Sequence, residues 1–405
     1  SIFLTMALAA TLVANAQTEE FLNMPVIPPI TELKVTPQTK MLYINGAKRA
    51  GYYSCGLFAI YDGDKKAWGF VDTLGNVVID FKYDRNFVDL ETPIFSDGLC
   101  VMRGFDGLIT VIDTQGNNPI KDSKGRPGTL QPNLQRLSDF VDGVALMRWR
   151  HASGDYVTQF LNKQFKGAYT DQKLAFYEYH SSITAHQLLE NRRAYYDFDK
   201  RLWGFIDESG TIVVPAQYTV VEAFRDGLAL VKAKENPDYW GYIDKTGKMA
   251  IEPKFSNRPM SFSEGYAVVT KRGNDRLQKC IINKQGEVVA EFYGEISPFH
   301  KGLALVWDYK KSFLINTNME IVKTFENDAI QFEFKNYYSR NHWVGFSDDI
   351  TVSNGWLIDY KGNRIMEHAY SYGFYDNRCI IKYGNGFACI NKKGEIIFII
   401  KEEEF

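Results

Sequence analysis

One phrase recurs down this chain and limits what it can fold into. It reads Trp68-Gly69-Phe70-Val71-Asp72 with Gly75, Trp203-Gly204-Phe205-Ile206-Asp207 with Gly210, and Trp240-Gly241-Tyr242-Ile243-Asp244 with Gly247. Such self-similarity marks an array of small units, each unable to bury its apolar side alone. With the turn glycine as marker, units fall at Gly75, Gly116, Gly210, Gly247, Gly286, Gly362 and Gly394. Degenerate units at 160–165 and 313–318 fill two gaps, which makes nine units spaced about 32 to 49 residues apart.

A second phrase accompanies the first. It appears as Phe95-Ser96-Asp97-Gly98-Leu99, Phe140-Val141-Asp142-Gly143-Val144, Phe224-Arg225-Asp226-Gly227-Leu228, Phe262-Ser263-Glu264-Gly265-Tyr266 and Phe299-His300-Lys301-Gly302-Leu303. Together the phrases predict a small antiparallel meander. One strand follows the Asp-Gly, a second carries the Trp-Gly, and a third follows the turn. In Asp207-Glu208-Ser209-Gly210 the Asp and Gly positions suit a type I turn closed by a left-handed residue. A side chain at such a glycine costs roughly 1–2 kcal/mol. Asn318 is expected to stand in for that glycine, and Phe165 to lengthen its turn as far as Gly167. Leu228-Ala229-Leu230-Val231 is apolar on both faces, so each sheet is expected between neighbours. The glycine after each Trp permits close backbone approach. In other units Cys280 or Trp356 takes its place, the mark of a packing device.

These motifs resemble the WG-repeat family, also written KWG, of bacterial exported proteins. The resemblance covers most of residues 51–400 and is strongest from Trp203 to Val306. It implies an all-β repeat protein serving as a binding or scaffolding module, and it supplies no catalytic residues. The expected fold is an all-β array of tandem antiparallel hairpin or meander units, a propeller-like ring or an open twisted β-solenoid. The period suits both forms.

The N-terminus is a different text. Residues 2–13 are apolar and lead to Ala14-Asn15-Ala16, the pattern of a secretory signal cleaved after Ala16. The expected domains are a signal peptide at 1–16, truncated at its start and without a basic n-region, a Pro-bearing linker or capping segment at 17–50, and the array at 51–405. The reading is export, to the periplasm, the cell surface or the medium, with no transmembrane anchor. Net charge is only −2, from 47 basic and 49 acidic residues without a basic stripe, which argues against nucleic acid as partner. Four of the five cysteines sit in apolar strand text and read as buried thiols, with Cys379 and Cys389 the one local pair to test.

Two insertions interrupt the array, at 117–135 and 168–200. The second is rich in tyrosine, has His180 and His186, and predicts a short helix over 183–193. Insertions in repeat arrays often lie on the binding face, so Tyr177, Tyr179, Tyr195 and Tyr196 are the candidate partner-binding residues. The residues read as structural are Trp68, Gly69, Gly75, Trp203, Gly204, Gly210, Trp240, Gly241, Gly247, Gly286, Gly362 and Gly394.

The recurring Asp72, Asp113, Asp207, Asp244 and Asp359 stand before turns and are read as bonding the turn backbone. No nucleophile elbow, phosphate loop or dinucleotide loop is present in the sequence, and no cofactor is indicated. Asp62-Gly63-Asp64 and Asp197-Phe198-Asp199 lack a full calcium loop. The leading expectation is therefore a non-enzymatic exported repeat protein that binds a protein or an envelope polymer. The alternative is an envelope carbohydrate hydrolase with carboxylates drawn from separate repeats.

Overall fold

The computed structural model describes residues 26–47, 49–83, 92–103, 108–121, 134–140, 142–150, 156–168, 188–197, 199–272, 277–307, 311–325, 350–353, 356–359, 363–367 and 374–402, with 124, 126, 128 and 130 between. The signal-peptide reading, Gly362, Tyr177, Tyr179, His180 and His186 lie outside the described residues.

Among the described residues every regular element is a strand. An N-terminal strand β1 (Lys34–Tyr43) is followed by β2 (Arg49–Ser54), β3 (Leu57–Asp62), β4 (Ala67–Asp72) and β5 (Val77–Tyr83), which form the first meander. The second is β6 (Leu99–Arg103) with β7 (Ile109–Asp113), and the third β8 (Leu134–Leu137), β9 (Val144–Arg150) and β10 (Tyr156–Asn162). One sheet holds the fourth and fifth: β11 (Arg193–Asp197), β12 (Leu202–Ile206), β13 (Ile212–Val221), β14 (Leu228–Ala233), β15 (Asn236–Asp244) and β16 (Met249–Phe255). Next come β17 (Tyr266–Arg272), β18 (Leu277–Asn283) and β19 (Val288–Tyr293). The seventh is β20 (Glu295–Ile296), β21 (Leu303–Trp307), β22 (Ser312–Asn316) and β23 (Ile321–Phe325). The eighth is β24 (Ile350–Ser353), β25 (Trp356–Asp359) and β26 (Arg364–Glu367), and the last β27 (Cys379–Tyr383), β28 (Gly386–Ile390) and β29 (Glu395–Lys401).

The turn that closes each meander is built the same way throughout. Leu74 and Asn76 N–H groups donate to Asp72 Oδ1 at 2.9 and 2.7 Å. The same paired bonds recur at Asp113, Asn162, Asp207, Asp244, Asn283, Asn316 and Asn391, and Asn363 N–H reaches Asp359. The recurring carboxylates are thus occupied by their own turns, as their position in the sequence implies. Gly75 has φ 78° and its N–H donates to Asp72 C=O, a type I turn closed by a left-handed residue.

Two turns correct the sequence reading. Met319, not Asn318, takes the left-handed place, with φ 65°. Phe165 takes it directly at φ 59°, and its N–H bonds Asn162 C=O at 2.8 Å without lengthening the turn. Both side chains pack on apolar clusters, Phe165 against Phe140 with ring centroids 5.7 Å apart. That packing offsets the roughly 1–2 kcal/mol of left-handed strain.

The glycine of Trp-Gly has a distinct task. Trp68 pairs with Tyr83 and Phe70 with Ile79, so three residues of β5 bulge past Gly69. Trp203–Tyr218 with Phe205–Val214, and Trp240–Phe255 with Tyr242–Ile251, repeat the same register. A Cβ at Gly204 would lie 2.4 Å from Val214 O, and one at Gly241 2.7 Å from Ile251 O. Pro215 and Pro253 fall inside these bulges, where the ladder asks for no donor. Where Cys280 replaces the glycine, Gln278 to Ile281 pair one-to-one with Tyr293 to Ala290, without a bulge.

The chain divides into two compact units, residues 1–26 with 173–344 and residues 27–172 with 345–405. In the first unit, Leu230, Tyr242, Val269 and Cys280 join the fifth meander to the sixth. Val268, Ile281, Val306 and Ile315 join the sixth to the seventh. In the second unit, Phe58, Ile60, Phe387 and Phe398 join the first meander to the last. The burial of both faces of every middle strand explains the unbroken apolar runs.

The segment read as a linker or capping segment at 17–50 contains β1, and β2 starts at its end. β2 pairs with β3, while β1 lies parallel on β29, with Lys34 opposite Glu395 and Leu42 opposite Ile400. The helix expected over 183–193 is also corrected. Leu189 bridges Arg192 in a tight turn and β11 begins at Arg193, while 183–187 lie outside the described residues. Cys379 pairs with Ile390 and Cys389 with Ile380, so the two thiols face opposite sides of their sheet and cannot be bridged. Burial pushes the Cys389 thiol up to about 12.

Candidate functional site

The Asp-Gly phrase forms a second row of turns. In Ser96-Asp97-Gly98-Leu99 the outer residues exchange backbone bonds, and Asp97 and Gly98 have φ 54° and 77°. Two successive left-handed residues make a two-residue hairpin turn of type I′. Arg225–Leu228, Ser263–Tyr266 and His300–Leu303 close the same way. So do Leu189–Arg192 and Tyr375–Arg378, with Glu190-Asn191 and Asp376-Asn377 at their tips.

The acidic tip residue reaches into the following meander. Asp97 accepts the Gly143 N–H at 2.6 Å, Glu190 the Gly227 N–H at 3.0 and 3.1 Å, and Glu264 the Gly302 N–H at 2.7 Å. Asp226 accepts the Gly265 N–H in the same way. Lys245 then pairs with Glu190 at 2.9 Å and Lys284 with Asp226 at 2.7 Å. These contacts satisfy tip donors that a tight turn leaves pointing outward, and they hold neighbouring meanders in register. Partial burial alone would raise the Glu190 carboxyl, but Lys245 and the Gly227 N–H outweigh it and hold the group below its ordinary value. Sequence reasoning saw the acidic residue of the phrase without its partner, which lies about forty residues on.

Other polar groups are equally committed. Asp62 is buried and accepts N–H bonds from Asp64 and Lys65 at 3.1 and 3.0 Å. Asp197 accepts the Lys200 N–H at 3.0 Å. Among the described residues no cluster of His, Cys, Asp and Glu has a metal-holding arrangement. Glu222, buried, is paired with Arg258 across the fifth and sixth meanders, a contact without a signal in the sequence. Tyr53 donates to Asp376 at 3.0 Å, and burial followed by that bond pushes its hydroxyl up to about 12.

The candidate tyrosines separate. Tyr195 is 3% exposed and its hydroxyl accepts the Ala216 N–H at 3.0 Å, so it belongs to the fourth meander and not to a binding face. Tyr196 is half-buried, with its ring 5.0 Å from that of Trp203. Of the residues read as structural, Trp68, Trp203 and Trp240 are buried, and Gly75, Gly210, Gly247, Gly286 and Gly394 have positive φ. What the surface does expose is a repeated apolar pair where third strands begin. Val77 and Val78, Ile212, Val288 and Val289, and Ile321 are between 39% and 61% exposed. Among the described residues no helix is long and apolar enough to cross a membrane.

No curated protein matches the chain. Solved structures overlap it loosely. The computationally designed Ika8 protein is 16% identical, with 75% of this chain and 93% of that one covered at a TM-score of 0.39. BamB from Moraxella catarrhalis is 10% identical, with 77% and 80% covered at 0.32. The AfRom2 CNH domain is 9% identical, with 72% and 97% covered at 0.29. The family model described as WG containing repeat matches residues 68–87, 203–236, 240–274 and 281–306. Three of those stretches open on the Trp-Gly that sits beneath a bulged third strand, and over all four the chain carries WG repeats.

Proposed function

We propose that this chain is a non-enzymatic binding or scaffolding module, exported from the cell, whose partner is another protein. One observation carries the reading. The polar side chains that recur along the described units, the turn Asp or Asn and the acidic tips Asp97, Glu190, Asp226 and Glu264, are engaged by backbone of their own or the next meander. Repetition here serves architecture, and such an architecture offers a long surface of similar edges and loops. The N-terminal apolar run with Ala14-Asn15-Ala16 supports export. A hydrolase would have to recruit carboxylates other than those of the turns.

The test is crosslinking in cells with a C-terminal tag and identification of partners by mass spectrometry. A saturable protein partner, retained by purified protein in a binding titration, is the expected result. Release of sugars from purified envelope by the same preparation, with no partner captured, overturns the proposal. Deletion of 170–186 leaves β11 intact and asks whether the Tyr-rich insertion contributes to capture.

A further inference from the structure

Two third strands share one sequence pattern and differ in what covers them. Asn283-Lys284-Gln285-Gly286-Glu287-Val288-Val289 leads into β19, and Asn391-Lys392-Lys393-Gly394-Glu395-Ile396-Ile397 into β29. Their ladders coincide residue for residue. Ile282 pairs with Val288 as Ile390 pairs with Ile396, Ile281 with Ala290 as Cys389 with Phe398, and the single irregularity falls at the same place. Asn283 Nδ2 donates to Glu287 at 2.8 Å and Asn391 Nδ2 to Glu395 at 2.6 Å.

The outer side of β29 is occupied. β1 runs along it in parallel, Lys34 stands opposite Glu395, and Thr39 Oγ1 donates to Ile396 C=O at 2.6 Å. Ile30 and Leu33 pack over the cluster that contains Ile396, which is 1% exposed. Its counterpart Val288 is 50% exposed, with Val289 at 41% and Tyr293 at 63%. Among the described residues no strand pairs with the outer side of β19. In the Trp-Gly meanders the edge strands β5 and β16 carry three-residue bulges, and β16 also Pro253, which blunt an edge against further pairing. β19 has no proline and lacks the three-residue bulge; past the one shift at Val289, which β29 shares, its ladder runs one-to-one, and Val288, Val289, Tyr293, Glu287 and Glu291 are exposed.

We propose that the outer edge of β19 is a docking site for an extended, lysine-bearing apolar segment of a partner protein, taken up as a parallel fourth strand. The occupant is argued from the chain's own solution at β29, where a segment with lysine opposite the glutamate and apolar residues over the isoleucine fills the equivalent edge. Main-chain bonds supply affinity in such additions, and the alternating side chains supply selectivity. This inference rests on the binding-module reading and locates its contact.

The probe is a synthetic peptide of residues 27–43 of this chain, added to the intact protein, with amide exchange followed by mass spectrometry. Added protection confined to 287–295 is the expected result. The double variant Val288→Asp with Val289→Asp should weaken the peptide at least about tenfold while exchange in β17 and β18 stays unchanged. Protection at 395–401 instead, by displacement of β1, overturns the site, as does protection that survives the double variant or no protection at millimolar peptide. A partner captured in cells by the double variant as well as by the parent would overturn the edge and leave the module reading standing.

Discussion

The fifth and sixth meanders lie side by side and solve one problem in two ways. In the fifth, Gly241 lets β16 bulge over β15, so that Trp240 is brought opposite Phe255 and Pro253 is accommodated. In the sixth, Cys280 fills the glycine's place, Lys279 fills the tryptophan's, and β19 pairs one-to-one from Ala290 to Tyr293. Both bury their middle strands against one shared cluster. The Trp-Gly signature therefore does not make the meander. It shapes the outer strand, and with it what the surface can receive.

The sharpest way to break this comparison is to add the same side chain on both sides. Gly241→Val drives a Cβ to within 2.7 Å of Ile251 O and 3.0 Å of Pro253 N. Backbone must move, and a loss of about 3 kcal/mol or more is expected. Cys280→Val changes volume little at a buried site and should cost less than about 1.5 kcal/mol. Denaturant midpoints of the two variants decide it. Equal losses would mean that Gly241 has no special relation to the bulge.

Proline scanning sharpens the same point from the outer strand. Pro253 sits in a bulge, so Pro253→Ala should shift stability by no more than about 1 kcal/mol. In β19, Ala290 opposes Ile281 and Glu291 opposes Cys280, and in an antiparallel ladder one of two successive residues donates inward. Of Ala290→Pro and Glu291→Pro, one should therefore lose about 3 kcal/mol and the other much less. Thermal melts of the three variants give the answer, and two tolerated prolines in β19 would contradict a one-to-one ladder there.

A smaller effect is expected where the two meanders are tied together. Asp226 accepts the Gly265 N–H and pairs with Lys284, so Asp226→Ala leaves a turn donor without its acceptor. The expected cost is about 1–2 kcal/mol. Asp226→Asn keeps an acceptor and should recover part of it. Amide exchange at Gly265 should speed up in the alanine variant alone, and a uniform rise across the sixth meander would point to general loosening instead.

What was legible in the sequence was local. An Asp or Asn before a turn and a glycine three residues on are read within five residues, and the bonds at Asp72, Asp207 and Asp244 follow from that spacing. Contacts that cross units left weaker marks. Glu190 finds Gly227 and Asp226 finds Gly265, and nothing near either acid announces its partner. Pro215 and Pro253 were the available sign of bulges, since proline inside a strand asks for one. Met319 and Phe165 escaped because packing can offset a left-handed backbone, and turn propensity does not record packing. The pairing of β1 with β29 joins segments from opposite ends of the chain, a parallel contact with no periodic signature. Of the tyrosine candidates, the alternation of Tyr195 and Tyr196 in a strand would have shown that one must face inward.

The smallest expected effect separates the tie between two bulged meanders from the tie at the boundary with the sixth. Glu190 joins the fourth to the fifth, and although burial opposes it, Lys245 and the Gly227 N–H hold its carboxyl below the ordinary value of 4.5. A depressed folded-state carboxyl stabilises the protein above its unfolded value, and that contribution is lost as pH falls through the folded one. Between pH 7 and pH 3.5 the parent should therefore lose more stability than Glu190→Gln, which has no charge to protonate. The partly exposed pair limits the difference to about 1 kcal/mol or less, and salt should reduce it further. Melting temperatures at several pH values in low and high salt measure it. A glutamine variant with the same acid slope as the parent would show that the Glu190 contact is held by geometry alone and that its charge contributes nothing to the register of the array.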